Sequence, residues 1–190
     1  MKGFLLIFVL FLNFLSCHSP KDSKELPAQK IVELKEFIKN KEYNQDIAVF
    51  INFKTHSGKY RYFVYDLKND KILQKSIVSH GSGSVMDSSN NLQFSNTEGS
   101  YQSSLGKYVI REKYIGKFGK SYRLDGLDEL NNNARERAIV IHALDCVPDV
   151  ESSQLTCLSL GCPMLSPKAL EATSKYIDRS AKPIILYAFY

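Results

Sequence analysis

A mainly β fold, a sandwich or open barrel with one short N-terminal helix and one late helix, is what the sequence predicts, and three observations carry that expectation. Eleven Tyr and eleven Phe stand among the 190 residues, and such rings pack better on a pleated sheet than along a helix. Apolar residues recur with a period of two along much of the chain, which places alternate side chains on one face of a strand. Clusters of Gly, Asn, Asp and Ser break those runs into short segments, as turns do. The length suffices for one core and is short for two, and 44% hydrophobic with 24% charged residues are globular proportions.

The elements follow in order. Met1-Lys2 precedes an apolar run from Phe4 to Leu12 and then Phe14-Leu15-Ser16-Cys17. The run falls short of the about 20 residues that span a bilayer, so residues 1–16 read as a signal peptide. A small residue followed by Cys resembles a bacterial lipobox, although Phe14 is unusual at its first position. Cys17 is then the acylated first residue of an exported, membrane-anchored lipoprotein, facing the periplasm or cell wall. An ordinary cleaved signal peptide with an incidental Cys is the alternative, and both readings export the chain. Residues 17–26, polar and containing Pro20, form a tether, and residues 27–190 form one domain.

Leu26, Ile31, Leu34, Phe37 and Ile38 have near-helical spacing and predict a helix over residues 28–40. The period then changes to two at Ile47, Val49, Ile51 and Phe53 and again at Tyr60, Tyr62 and Val64, with a third run over residues 72–78, so the domain opens as an antiparallel meander. Residues 79–104 hold Gly81, Gly83, Gly99 and many Ser and Asn without periodicity. A segment that long reads as a functional loop, the wall or lid of a site. Strands resume over residues 107–114, 121–124, 138–142 and 184–189. A helix capped by Ser166, with Pro167 in its first turn, runs to about Ile177. The net charge of +5 is dispersed among acids, so nothing points to nucleic acid as a partner.

Two segments carry chemistry. Ala138-Ile139-Val140-Ile141-His142 is an apolar strand that delivers an imidazole at its end, and Ser159-Leu160-Gly161-Cys162-Pro163 presents a thiol between Gly and Pro. A free thiol is mostly protonated at neutral pH, and a neighbouring imidazole can take its proton. Backbone N–H groups at Gly161 and Cys162 suit the oxyanion that forms when a thiolate attacks a carbonyl. The alternatives are a small buried hydrophobe at Cys162 and a satisfied core histidine at His142.

His142, sixteen intervening residues and then Ser159-Leu160-Gly161-Cys162 resemble the active-site signature of the L,D-transpeptidases, in which a His precedes a Ser/Thr-His-Gly-Cys element. Phe94-Ser95-Asn96-Thr97-Glu98-Gly99-Ser100-Tyr101-Gln102-Ser103-Ser104-Leu105-Gly106 and Asn132-Asn133-Ala134-Arg135-Glu136-Arg137 resemble the murein L,D-transpeptidase catalytic-domain subgroup that lacks the middle His. The resemblance runs from about Ile47 to Tyr190. It departs at Leu160, where the broader signature has His, and at Met164, where many members carry Arg or Asn.

The resemblance implies an acyltransferase with Cys162 as nucleophile, His142 as base, and Ser159 and Gly161 in the catalytic turn. Its substrate is the peptidoglycan stem peptide and it needs no cofactor or metal. His80, in Ser79-His80-Gly81-Ser82-Gly83, supplies a second imidazole or only orders the glycine loop. Arg135 and Arg137 flank Glu136, so at least one is expected to be solvated or paired, while a guanidinium fork also suits a substrate rich in carboxylates. Tyr101 and Ser104 are candidates for the pocket wall, with turn or core packing as the alternative. Under this reading Cys17 is lipidated and Cys162 catalytic, which leaves Cys146 and Cys157 for a disulfide in an exported compartment. A zinc site from His142, Cys146, Cys157 and Cys162 is the competing arrangement, although its spacing matches no common ligand pattern. Hydrolysis of the same stems as an L,D-carboxypeptidase, or peptidoglycan binding without chemistry, are the alternative functions.

Overall fold

The computed structural model describes residues 26–85 and 91–190. The segments expected to be the signal peptide, with Cys17, and the tether up to residue 25 lie outside the described residues. Among the described residues no helix is long and apolar enough to cross a membrane.

Helix α1 spans Ala28–Ile38 and buries Ile31, Leu34 and Ile38, which recur three and four residues apart and so share one face. It ends sooner than the predicted residue 40 because Asn40 takes a left-handed conformation, with φ 59°, a common device for stopping a helix. Eight strands follow among the described residues: β1 Ile47–Asn52, β2 Tyr62–Asp66, β3 Lys71–Ser76, β4 Gly106–Gly116, β5 Gly119–Gly126, β6 Val140–Ala143, β7 Met164–Leu165 and β8 Ile185–Phe189. Helix α2, Pro167–Ile177, lies between β7 and β8 in sequence. Its cap is the expected one, with Ala169 N–H donating to Ser166 Oγ at 3.0 Å.

The strands form one sheet in the order β3-β2-β1-β8-β4-β5-β6-β7. The opening meander is antiparallel, but β1 pairs parallel with β8 and β6 parallel with β7, so the sheet is mixed. Its two edges approach each other where Ser79 N–H, just beyond β3, donates to Met164 O in β7 at 2.9 Å. The fold is therefore mainly β and nearly closed.

Alternation along the strands divides most of the apolar residues between two larger cores, with a third, small cluster of Ile77, Val147 and Met164 beside them. Val49 and Ile51 of β1, Tyr62 and Val64 of β2, and Leu186 and Ala188 of β8 pack with Ile139, Ile141, Ala169 and Leu170 in the larger cluster, which reaches α2. Their neighbours Ala48, Phe50, Phe63, Tyr65, Ile185 and Tyr187 turn the other way, onto Ile31, Leu34 and Ile38 of α1. Each full burial of such a side chain contributes about 1.5–3 kcal/mol. Both faces of β1, β2 and β8 are thus covered. The strands that carry the candidate chemistry, β6 and β7, lie at the opposite edge.

Among the described residues the segment 79–104 holds no strand, only a 3-10 turn at Ser82–Ser84, yet serine side chains pin it firmly. Ser103 N–H donates to Ser84 Oγ at 2.9 Å and Gly81 N–H to Ser103 Oγ at 3.0 Å. Gly81 is required here, because a Cβ would lie 2.1 Å from the backbone oxygen of Tyr101. Ser103 Oγ also donates to Gly161 O at 3.2 Å, and Gly81 bridges Ser159. The loop is therefore a buttress for the turn that holds Cys162.

Candidate active site

The thiol turn is built by local hydrogen bonds. Ser159 Oγ donates to Cys162 O at 2.7 Å and accepts from Gly161 N–H at 3.1 Å, closing residues 159–162 into a tight bend. Gly161 has φ 115°, and a Cβ there would sit 2.9 Å from Gln102 O, so both conformation and space demand glycine. Pro163 then restricts the exit. Because the Gly161 N–H is already given to Ser159, the expectation of an oxyanion donor narrows to Cys162, whose N–H has no acceptor among the described residues.

Cys162 is half-buried and is the free cysteine among the described residues. Its Sγ accepts from Val140 N–H at 3.5 Å and donates towards Ala138 O at 3.8 Å. Ala138 is itself left-handed, with φ 53°, which turns that carbonyl at the mouth of β6. Burial pushes the thiol pKa up, while the Val140 N–H and the Arg137 charge draw it down.

Arg137 and Arg135 have different surroundings. The Arg137 guanidinium is half-buried beneath the thiol turn and donates to Gln102 O at 2.6 Å, Ser95 O at 2.8 Å and Ser104 Oγ at 3.2 Å. No carboxylate neutralises it among the described residues, so its field acts on Cys162. Arg135 is committed to Glu112 and Asp125, both at 2.6 Å, in an exposed network, which is the solvated pairing expected of at least one of the two. Ser104 is buried and also bonds the Tyr108 hydroxyl at 2.7 Å, a framework role. Tyr101 is half-exposed with φ 52° and stands at the surface, as does Leu160 at 67% exposure.

His142 is buried with its ring stacked on Phe118, centroids 4.4 Å apart. Its Nδ1 lies 3.3 Å from Ala143 O. A carbonyl can only accept, so the proton sits on Nδ1 and Nε2 keeps its lone pair. Burial lowers the pKa, partly offset by that bond, so the ring is neutral at pH 7. No hydrogen bond joins His142 to Cys162. The parallel register sets His142 beside Met164, which places Cys162 one side-chain repeat back, level with Val140.

His80 is buried, with its Nδ1 2.8 Å from Arg61 Nη2 and no hydrogen bond to Cys162. Cys146 and Cys157 are joined by a disulfide across a separation of 11 residues. Among the described residues no group of three or more His, Cys, Asp or Glu is arranged to hold a metal. Reading the sequence did not single out Arg61, Phe118 or Ser103. An arginine inside the apolar run Tyr60 to Val64 was the available signal for the first, since a charge on a buried strand demands a partner.

The sequence profile of the L,D-transpeptidase catalytic domain matches residues 20–189. No curated protein sequence matches the chain. Similar solved structures include an L,D-transpeptidase from Mycobacterium smegmatis at 12% identity and TM-score 0.45, covering 76% of this chain and 59% of that one. A mutant L,D-transpeptidase from Enterococcus faecium is similar at 11% identity and TM-score 0.45, covering 76% and 50%. The helical cell shape determining protein Pgp2 from Campylobacter jejuni is similar at 18% identity and TM-score 0.45, covering 83% and 53%. The chain spans about half to three fifths of the length of these structures.

Proposed function

The chain belongs to the L,D-transpeptidase catalytic domain family, and from that membership we propose that it transfers acyl groups on peptidoglycan stem peptides through a thioester at Cys162. The observation that carries the reading is the setting of the sulfur. It is a half-buried free thiol on a turn that only glycine permits, beside an arginine that no carboxylate neutralises among the described residues.

His142 Nε2 takes the thiol proton once sulfur and ring come within hydrogen-bond reach, and the thiolate attacks the carbonyl of the third residue of a stem tetrapeptide. The oxyanion draws on the Cys162 N–H, and a donor of that kind is worth about 3 kcal/mol of barrier. The C–N bond to D-Ala then breaks, the imidazolium returns its proton to the leaving amine, and a thioester remains. An amine from a second stem attacks that thioester, loses a proton to His142 and regenerates the thiol. Water in the same place makes the reaction an L,D-carboxypeptidase. Arg137 stabilises the thiolate throughout, and Ser159 holds the turn. The apolar first residues and Ser16-Cys17 support export and lipid anchoring, which would keep the domain near the wall.

The test is mass spectrometry of wall fragments incubated with the full chain and with its Cys162→Ala form. Release of D-Ala with formation of dimers, absent from the variant, is the expected result. D-Ala release without dimers assigns water as acceptor, and equal D-Ala release from both proteins removes the mechanism.

A further inference from the structure

Arg61 is the largest fully buried side chain of the domain, at 1% exposure, and no carboxylate faces it among the described residues. Its Nε and Nη2 donate to Val78 O at 2.9 and 2.7 Å, its Nη1 to Thr55 O at 3.3 Å, and its Nη2 also to His80 Nδ1. A guanidinium has five N–H groups and no lone pair to offer, so one Nη1 hydrogen is left over. The same reasoning settles the tautomer of His80. Nδ1 must accept from the arginine, and the ring proton of the neutral form must therefore sit on Nε2. That Nε2 is buried and has no partner among the described residues. Burial and the adjacent Arg61 charge hold the His80 pKa down, to about 4, so the imidazole stays neutral while burial leaves Arg61, at about 9, still charged at pH 7.

Arg61 and His80 line a cavity of about 70 Å³, whose mouth is formed by exposed Lys54, Leu155 and Tyr190. Among the described residues no Asp or Glu lines it. A buried cation without a counter-charge and a buried donor without an acceptor are each unfavourable, and here the two residues that carry them line one small opening. A single anionic group with two acceptor oxygens answers both.

We propose that the cavity between Arg61 and His80 is a carboxylate-binding subsite, filled by the free terminal carboxylate of a stem peptide or by a small carboxylate anion. Only the first of these sources rests on the function proposed above. The backbone links the subsite to the thiol turn, since His80 O accepts from Ser159 N–H at 2.9 Å and Ser159 O from Ser82 N–H at 2.8 Å. A carboxylate held there lies against the same loop that positions Cys162.

The test uses the full chain with isotope-labelled histidine, in which four His residues give few ring signals, His80 being assigned by its loss in His80→Asn. Formate is added to about 100 mM, where even a weak millimolar site is saturated, with formamide as the neutral control. A saturable shift of the His80 Nε2 signal with formate and none with formamide is expected. In His80→Asn the amide oxygen still accepts from Arg61 while the amide N–H, on a shorter side chain, no longer reaches the position of Nε2, and formate affinity, read from ligand saturation transfer, should fall about ten-fold. Arg61→Met should abolish binding, and His80→Asn keeps the question answerable if that variant does not fold. An unchanged His80 signal with formate, or equal shifts with formate and formamide, overturns the proposal. The sources are then separated on the Cys162→Ala chain with a stem tetrapeptide and its C-terminal amide. A shift with the free acid alone assigns the stem terminus, and a shift with formate but neither peptide assigns a small free anion. The formate measurement involves no turnover, so it stands or falls independently of the acyl-transfer reading.

Discussion

At Cys162 burial favours the protonated thiol, while the Val140 N–H and the Arg137 guanidinium favour the thiolate. Burial ranks first, so the resting group needs a base. Replacing Cys162 by Ala or Ser should abolish turnover with the domain still folded, measured as D-Ala release against an unchanged circular dichroism spectrum. His142→Ala should lower turnover by orders of magnitude, and activity should recover as pH is raised from 7 to about 9.5, where an unassisted thiol ionises. A flat profile over that range would show that the imidazole does something other than take the thiol proton. Arg137→Met should slow alkylation of Cys162 by iodoacetamide at pH 7 several-fold, and Arg137→Lys should restore part of the rate. Equal slowing in both variants would point to lost packing against Gln102 and Ser95 rather than lost charge.

The thiol turn and the serine-pinned loop behave as one element, because Ser103 holds both Gly81 and Gly161. Gly161→Ala meets the Gln102 carbonyl and an unfavourable φ together, a strain of about 1–3 kcal/mol. Turnover should fall at least ten-fold with only modest loss of stability, since the strain is concentrated where the sulfur is aimed. A variant that keeps full activity would mean that the turn tolerates another conformation. The Cys146–Cys157 disulfide constrains the connection from β6 to β7, and closing a loop of that size is worth about 3 kcal/mol in a chain-entropy treatment. Cys146→Ser with Cys157→Ser should lower the urea midpoint accordingly, and an unchanged midpoint would show that the unfolded loop is already restricted.

For the molecule as a whole, the two buried histidines make stability depend on pH. His80 and His142 both have pKa values lowered in the folded state, so the unfolded chain takes up protons first as pH falls. Their contribution is complete above the unfolded value near 6.5 and is lost as pH drops through that value towards the folded one, about 4 for His80. Between pH 7 and pH 5, His80 alone should remove about 2 kcal/mol of unfolding free energy. The carboxylates of Glu33, Asp66, Asp125 and Asp178 have lowered pKa values and act below that window. Urea midpoints at the two pH values should differ in the parent chain and much less in His80→Asn. A parent chain with no slope between them would mean that His80 carries the same protonation folded and unfolded.

Strand identity in this chain is written locally, because a period of two and a capped α2 are properties of a few consecutive residues. The order His142, Ser159, Gly161, Cys162 could likewise be read from the residues, and so could the mainly β class. What residue order does not contain is which strand pairs with which. Period-two patterning states that Val49 and Phe50 face opposite ways, but not that β1 runs parallel beside β8 near the far end of the chain. The two-residue β7 has too few positions to show any period, and it exists only because β6 lies beside it. The same distinction separates Arg135, on the solvent face with two acids, from Arg137, beneath the sulfur, and it brings Arg61 to His80 across nineteen residues of sequence. Local propensity determined the elements and the motif. Long-range packing decided which charges are left unpaired, because burial and partner choice are set by neighbours distant in sequence.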